Sequence, residues 1–331
     1  MLKKAAIERI MLRTWGLVRS RPLVLGVSGG MDSMVLMHLL RDLDFQLIIA
    51  HLDHCLRGTS VIDAEFVQQA AQQLGMECVA EKRDVPTYAS DSALNVEEAA
   101  RKVRYEFLFR VAQQRGAQAV AVAHHASDQV ETLLMQLLRG AGVAGLTGMD
   151  HYWLPNQWSE DIPLVRPLLQ VSQDHIVSWA EEHGIDFRED DSNQDLAYFR
   201  NSLRHNLIPL LEQQNPGFQQ RLLRSREILA TENELLSRVT EDAWAQVLKS
   251  DQVGLLVFHR GAWLGQPLAI QRRMLRQTHQ KLAQTGDAKL DFSAIDTASD
   301  WLSAAKQNDR LIWISGIQIL LEGQHLVFQL D

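Results

Sequence analysis

Short apolar runs alternate with helical patterns through the first half of this 331-residue chain. Leu23–Val27, Leu47–His51, Glu77–Glu81 and Ala119–Ala123 have strand length and give way to polar residues. Between them Ser33–Asp42, Val61–Leu74 and Val96–Gln114 repeat apolar residues at helical spacing, and Ser127–Leu138 continues the rhythm. The alternation predicts an α/β domain with a doubly wound parallel sheet covered on both faces. Ligands of such sheets bind beyond the carboxyl ends of the strands. The polar residues expected there are Ser28, the run His51-Leu-Asp-His54, Arg83-Asp84 and His124-His125.

The second half reads differently. A loop with four glycines, Gly140 to Gly148, leads into a Trp/Pro-rich stretch from Tyr152 to Pro167. Helical pattern then dominates from Ser172 to about Lys249, with a long candidate helix at Gln219–Lys249. Asn215-Pro216-Gly217 breaks it and predicts a boundary between a catalytic domain, 1–215, and a smaller, mainly helical domain, 216–331. Leu311–Ile314 and Ile317–Leu321, around Ser315-Gly316, predict a hairpin, with a further strand at Leu326–Leu330.

Charge and composition narrow the reading. The formal net charge is −8, so nucleic acid would be held by local basic patches, not by a global field. Arg200 to Arg226 is one such patch, with five arginines and one acid, Glu212. Arg272, Arg273, Arg276 and Lys281 form another, for which a solvated helix face is the equal alternative. The two cysteines, Cys55 and Cys78, offer neither a disulfide framework nor a CxxC pair, which suits a cytoplasmic protein. Nowhere do about 18 apolar residues run together, so no membrane span is expected.

The richest chemistry lies in Pro22–Ser33, PLVLGVSGGMDS. A strand that turns through glycines into a helix N-terminus offers close backbone approach, outward N–H groups and a favourable dipole for an anion. Neither common nucleotide motif fits. No Lys occurs between Ala5 and Glu81, and after Gly26, Gly29 and Gly30 the next glycine is Gly58. Instead Ser28 and Ser33 frame the loop with hydroxyls, and Asp32 supplies a carboxylate suited to Mg²⁺ beside a pyrophosphate. An ordinary glycine-rich turn is the alternative.

In Ala123–Met149 two histidines, His124 and His125, precede Asp128 and Glu131, whose spacing of three puts both carboxylates on one helix face. Helix capping would also explain the acids. Zinc is a weaker reading, because an oxygen-rich site beside a phosphate loop suits Mg²⁺ better. His51 to Gly58, HLDHCLRG, carries Arg57 into a loop, where simple solvated polarity is an equal account. Glu97, Glu98 and Arg101 have the spacing of a salt-bridged helix face.

Together SGGMDS (28–33), HLDHCLRG (51–58), NVEEAARKVRYEF (95–107), AHHASDQVETLLMQLLRGAGVAGLTGM (123–149), LVRPLL (164–169) and DDSN…FRNSLRHNLIPLL (190–211) resemble the tRNA(Ile)-lysidine synthetase family of the N-type ATP pyrophosphatase, or PP-loop, superfamily. SGGxDS marks only the superfamily, and the later blocks are far more specific. The resemblance implies that ATP adenylates the C2 oxygen of the wobble cytidine in a CAU-anticodon tRNA(Ile), after which free L-lysine displaces AMP to give lysidine.

Carried over, it assigns Ser28, Gly29, Gly30, Met31, Asp32, Ser33 and His51 to ATP, with Asp32 and Asp128 on Mg²⁺. It implies catalytic roles for Asp32, His124, His125, Asp128 and Glu131, lysine binding by Glu131 and Asp128, and tRNA contact by Arg57, Arg104, Arg200, Arg204 and His205. A homodimer is compatible with the reading. Family members commonly carry HHxDDQ, whereas Ser127 stands here in place of the first acid. Some also carry further C-terminal modules, and the segment from Gly217 onward resembles the small helical tRNA-contacting domain. A tRNA cytidine thiolase of the same superfamily would need more cysteines. A non-catalytic nucleotide-sensing RNA-binding protein would not need Asp32, Asp128 and Glu131.

Overall fold

Three strands buried on both faces organise the first half of the chain. In the computed structural model, which describes residues 3–55, 60–188, 199–283 and 290–330, these are β1 (Leu23–Gly26), β2 (Leu47–Asp53) and β4 (Ala119–Ala121). Leu23, Leu25, Leu47, Ile49, Ala119 and Ala121 face one apolar cluster, while Val24, Ile48, Ala50 and Val120 face another. A strand buried on both faces must be covered on both. Helices α1 (Lys4–Arg9), α2 (Met31–Asp42) and α7 (Gln173–Glu182) contribute to the first cluster, and α5 (Val96–Gln114) to the second.

The sheet has six strands in the order β3-β2-β1-β4-β6-β5, with β3 at Glu77–Lys82, β5 at Tyr152–Trp153 and β6 at Leu164–Val165. All pairings are parallel except β5–β6. The four strands expected from sequence are all present, and so are the helices between them, including α3 (Ser60–Gln73) and α6 (Ala126–Leu138). Strands β5 and β6 are not apparent in the sequence. Each has two residues, and the Trp/Pro-rich segment between them is held by Asn156, which donates to the Trp153 and Ile162 carbonyls and accepts from the Trp158 and Ser159 N–H groups.

The chain divides into two compact units, Met1–Leu229 and Ala230–Asp331. Asn215–Gly217 does separate two helices, α9 (Ile208–Gln214) and α10 (Phe218–Val247). The first turns of α10 nonetheless belong to the first unit: Phe218, Leu222 and Leu223 pack with Val130 and Leu134 of α6 and with Leu203 and Ile208.

The second unit contains a five-stranded antiparallel sheet in the order β7-β8-β11-β10-β9. The expected hairpin and following strand are β9 (Arg310–Ile312), β10 (Ile317–Glu322) and β11 (His325–Leu330). Strands β7 (Leu248–Gln252) and β8 (Leu255–His259) lie where the sequence suggested helix and mixed structure, so this unit holds more sheet than "mainly helical" implies. Phe258, Trp263, Trp313 and Phe328 fill its core. On α12 (Leu268–Leu282) the second basic patch is largely paired internally: Arg272 with Asp296, Arg273 with Asn233 and Lys281 with Asp251.

Acid should weaken the first unit in a defined window. Burial first, then the Arg226 charge, push His151 down to about 4 from 6.5. The folded ring thus resists a proton that the unfolded chain accepts, so stability is complete above 6.5 and falls as pH drops from there toward 4. A His151→Gln variant is expected to lose less melting temperature than the parent between pH 7 and pH 5, as read by thermal scans.

Candidate active site

The glycine loop is built by its own serines. Gly29 turns the chain at φ +93°, and Gly30 caps α2 in an extended conformation. Ser33 Oγ donates to the Gly30 carbonyl at 2.9 Å and accepts the Ser28 N–H at 3.2 Å, while Ser28 Oγ accepts the Gly30 N–H at 3.3 Å. These bonds hold the loop open ahead of the α2 N-terminus, the geometry that suits a phosphate. The Arg188 N–H closes it from outside by donating to the Gly29 carbonyl at 2.9 Å. A Cβ at Gly29 would stand 3.3 Å from Val67 Cγ2 at a φ that side chains avoid. Gly29→Ala is therefore expected to cost about 1–3 kcal/mol in a denaturant titration.

Asp32, in the first turn of α2, directs Oδ2 to within 3.6 Å of His125 Nε2. Asp128, in the first turn of α6, approaches the same nitrogen at 3.5 Å. His125 also caps α6: its Nδ1 accepts the Ser127 N–H at 3.2 Å, and its own N–H donates to Asp128 Oδ2 at 2.9 Å. Nδ1 is thus occupied, and Nε2 faces the two carboxylates. Burial opposes charge on this ring, but the Asp32 and Asp128 carboxylates facing Nε2 outweigh it and raise its pKa. Ser127 contributes its backbone N–H to this cap.

Glu131 is fully buried and receives two guanidiniums, Arg200 Nε on Oε2 and Arg204 Nε on Oε1, each at 2.6 Å. Both arginines also stand 3.5 Å from Asp128 Oδ1. The arrangement follows from helical spacing on both sides. Asp128 and Glu131 share one face of α6, and Arg200 and Arg204 are four apart across α8 (Phe199–Ser202) and the π-helical turn Leu203–Leu207. The packing of Val130 and Leu134 against Leu203 and Ile208 carries the two pairs together. Burial works against the Arg200 charge, but Asp128 and Glu131 outweigh it and raise its pKa. Burial also penalises Asp128, yet the nearby His125, the Arg200 charge and the His125 backbone N–H keep it below the usual carboxylate range.

Other candidates fall around this centre. His51 donates from Nδ1 to the Val27 carbonyl at 2.9 Å, beneath the loop, and its buried Nε2 has no partner. His54 Nδ1, Arg104 Nε and Asp32 Oδ1 are likewise buried without a hydrogen-bond partner. Burial, then the Arg104 charge, lower His54 to about 4. Buried polar atoms left without partners at one sheet edge are what a site built for a polar ligand shows in its absence. His205 is exposed on its turn. Arg57 lies outside the described residues, as does the first part, 190–198, of the run from Asp190.

Three contributors take roles that the sequence reading did not give them. Gln129, 2% exposed, clamps the end of the glycine-rich loop by donating to the Met149 carbonyl at 2.9 Å and accepting its N–H at 2.8 Å. Arg226 donates to the Thr147 and Met149 carbonyls. Arg166, buried in the LVRPLL run, donates from Nε to His124 Nδ1 at 3.2 Å. An arginine inside an apolar run was the available signal for that one.

Fold and site define a doubly wound α/β protein with a serine-framed glycine loop and a carboxylate–arginine cluster at the carboxyl edge of its sheet. Residues 3–211 match the family model for the PP-loop domain, and the chain belongs to that family. It is similar to the tRNA(Ile)-lysidine synthases of Geobacter sulfurreducens (37% identical over 292 residues, 87% of this chain and 60% of that one), Thermus thermophilus (39% over 269 residues, 81% and 50%) and Bacillus subtilis (30% over 318 residues, 95% and 66%). The chain thus spans about half to two thirds of the length of these relatives. Among solved structures, the U34-tRNA thiolase NcsA from Methanococcus maripaludis shares the fold, with a TM-score of 0.54 and 18% identity over 69% of this chain and 77% of that one. Among the described residues, no helix is long and apolar enough to cross a membrane.

Proposed function

We propose that this chain uses ATP to join free lysine to carbon 2 of the wobble cytidine in a CAU-anticodon tRNA(Ile). The observation that supports it best is the convergence of Asp32 and Asp128 on His125 directly beyond the serine-framed glycine loop, with Arg200 and Arg204 on the far side of Asp128. The similarity to lysidine synthases over most of the chain supports the same reading.

An amide oxygen is a poor leaving group. The cytidine C2 oxygen therefore attacks the α-phosphorus, pyrophosphate departs, and the oxygen becomes part of an AMP leaving group. The lysine ε-amine then attacks C2, and AMP leaves with that oxygen. The loop N–H groups and the α2 N-terminus orient the phosphates and meet their charge. Asp32 and Asp128 suit Mg²⁺, which needs few protein ligands when phosphates supply the rest. Asp32 Oδ1, buried and unpartnered, fits that role. When bound, Mg²⁺ would neutralise pyrophosphate charge.

Lysine arrives as an ammonium and needs a carboxylate. Glu131 is the assigned partner, yet both its oxygens hold arginines. It can meet an ammonium only if one guanidinium releases it, and the freed guanidinium then suits the lysine carboxylate or a tRNA phosphate. Arg104 and His205, with Arg57, are assigned to the tRNA.

The test is incubation with ATP, Mg²⁺, labelled lysine and CAU-anticodon tRNA. Label in the wobble nucleotide is expected, and its absence overturns the reading. ATP/pyrophosphate exchange separates this from a non-catalytic sensor, which would show none.

A further inference from the structure

Arg166 is held from several sides at once. It is 2% exposed, at the end of β6. Its N–H donates to the His151 carbonyl at 2.9 Å, its Nη1 donates to the Asp150 carbonyl at 2.5 Å, and its guanidinium lies 5.9 Å from the Trp153 ring centroid. The direction of Nε is thereby fixed, and Nε donates to His124 Nδ1 at 3.2 Å.

A guanidinium has no lone pair to offer, so this bond runs one way. His124 Nδ1 must be the acceptor, and the single ring proton must sit on Nε2. A second proton on Nδ1 would point at the Arg166 Nε–H. The next residue reaches the same tautomer by other means, since His125 Nδ1 accepts the Ser127 N–H. The two consecutive histidines thus both present Nε2–H, but one is backed by a cation and the other faces two anions. Burial, opposed by Asp128 but seconded by Arg166, Arg104 and Arg200, holds His124 well below its ordinary pKa and keeps the ring neutral.

We propose that Arg166 is a positioning residue, which locks His124 in its Nε2–H tautomer so that this N–H donates to the α-phosphate oxygen gaining charge during adenylyl transfer. The assignment of that oxygen rests on the function proposed above. With Nδ1 occupied and Nε2 protonated, His124 has no lone pair with which to take a proton from lysine. It acts as a fixed donor, and a neutral imidazole keeps its proton while stabilising the charge.

The first test reads the tautomer in the unsubstituted protein. ¹⁵N shifts of His124 in the labelled chain at pH 7, assigned by the signal lost in His124→Gln, should show a protonated Nε2 and a bare Nδ1. A protonated Nδ1 or a cationic ring overturns the proposal. In ATP/pyrophosphate exchange with tRNA present, Arg166→Met should lower kcat roughly ten- to hundredfold with KM for ATP within about twofold. The same substitution in a His124→Ala background should cost no further kcat, and an equal loss in both backgrounds makes Arg166 merely structural. His124→Gln keeps an N–H donor and should retain more kcat than His124→Ala; equal losses overturn the donor role. Failure of lysine incorporation with the tautomer and exchange effects intact would instead refute the lysidine reading and leave this one standing.

Discussion

Asp32→Asn is expected to lower kcat for ATP/pyrophosphate exchange roughly a hundred- to a thousandfold while leaving the melting temperature within about 2 °C of the parent. The two halves of this expectation have separate grounds. Asp32 Oδ1 has no partner and its side chain is 37% exposed, so folding draws little from the charge. Its Oδ2 stands 3.6 Å from His125 Nε2, beyond a good hydrogen bond. The carboxylate is placed for a bound cation or ligand donor beside the phosphate loop, and an amide supplies neither the charge nor the second acceptor. Exchange at the parental rate would remove Asp32 from the reaction. Loss of exchange together with a collapsed melting temperature would make it structural.

Glu131→Gln should act in the opposite sense, on the fold as well as on the chemistry. Two guanidiniums, whose side chains are 25% and 32% exposed, meet at a carboxylate with no exposure at all. Removing its charge leaves Arg200 and Arg204 facing each other with only the more distant Asp128 to offset them. A loss of about 3 kcal/mol is expected in denaturant titration, since breaking one partner of a buried pair strands the other. Replacing Glu131, Arg200 and Arg204 together by Leu, Met and Met should recover most of that stability, because apolar residues of similar volume remove the desolvation cost of all three charges. The triple variant should nonetheless remain inactive in lysine incorporation. Activity in it would show that the cluster serves packing alone.

The contrast between these acids was not legible in the sequence. Asp128 and Glu131 stand three apart on a helix and read as equivalent there, but only one has both oxygens engaged by arginines. That difference depends on Arg200 and Arg204, about seventy positions later, being carried to α6 by the packing of Leu203 and Ile208. Gln129 looked like part of a helical run, yet it clamps Met149. The pairing of β5 with β6 was equally hidden, since two-residue strands have no period to detect. Strands β7 and β8 were obscured by the long helical pattern that precedes them, and their place in the sheet is set by β8 pairing with β11 almost seventy residues on.

What the sequence by itself determined was whatever rests on local pattern. The two-residue alternation of strands, the 3.6-residue periodicity of helices and the glycines that allow a tight turn all act within a few residues. The α/β rhythm and the strand–turn–helix course of the glycine loop with Ser28, Asp32 and Ser33 therefore followed from the chain alone. Tertiary structure decided how the charges are shared. Which carboxylate is free, which is bound by arginine, and which nitrogen of His124 carries its proton depend on groups brought together from distant segments, where burial and nearby charge fix the state of each.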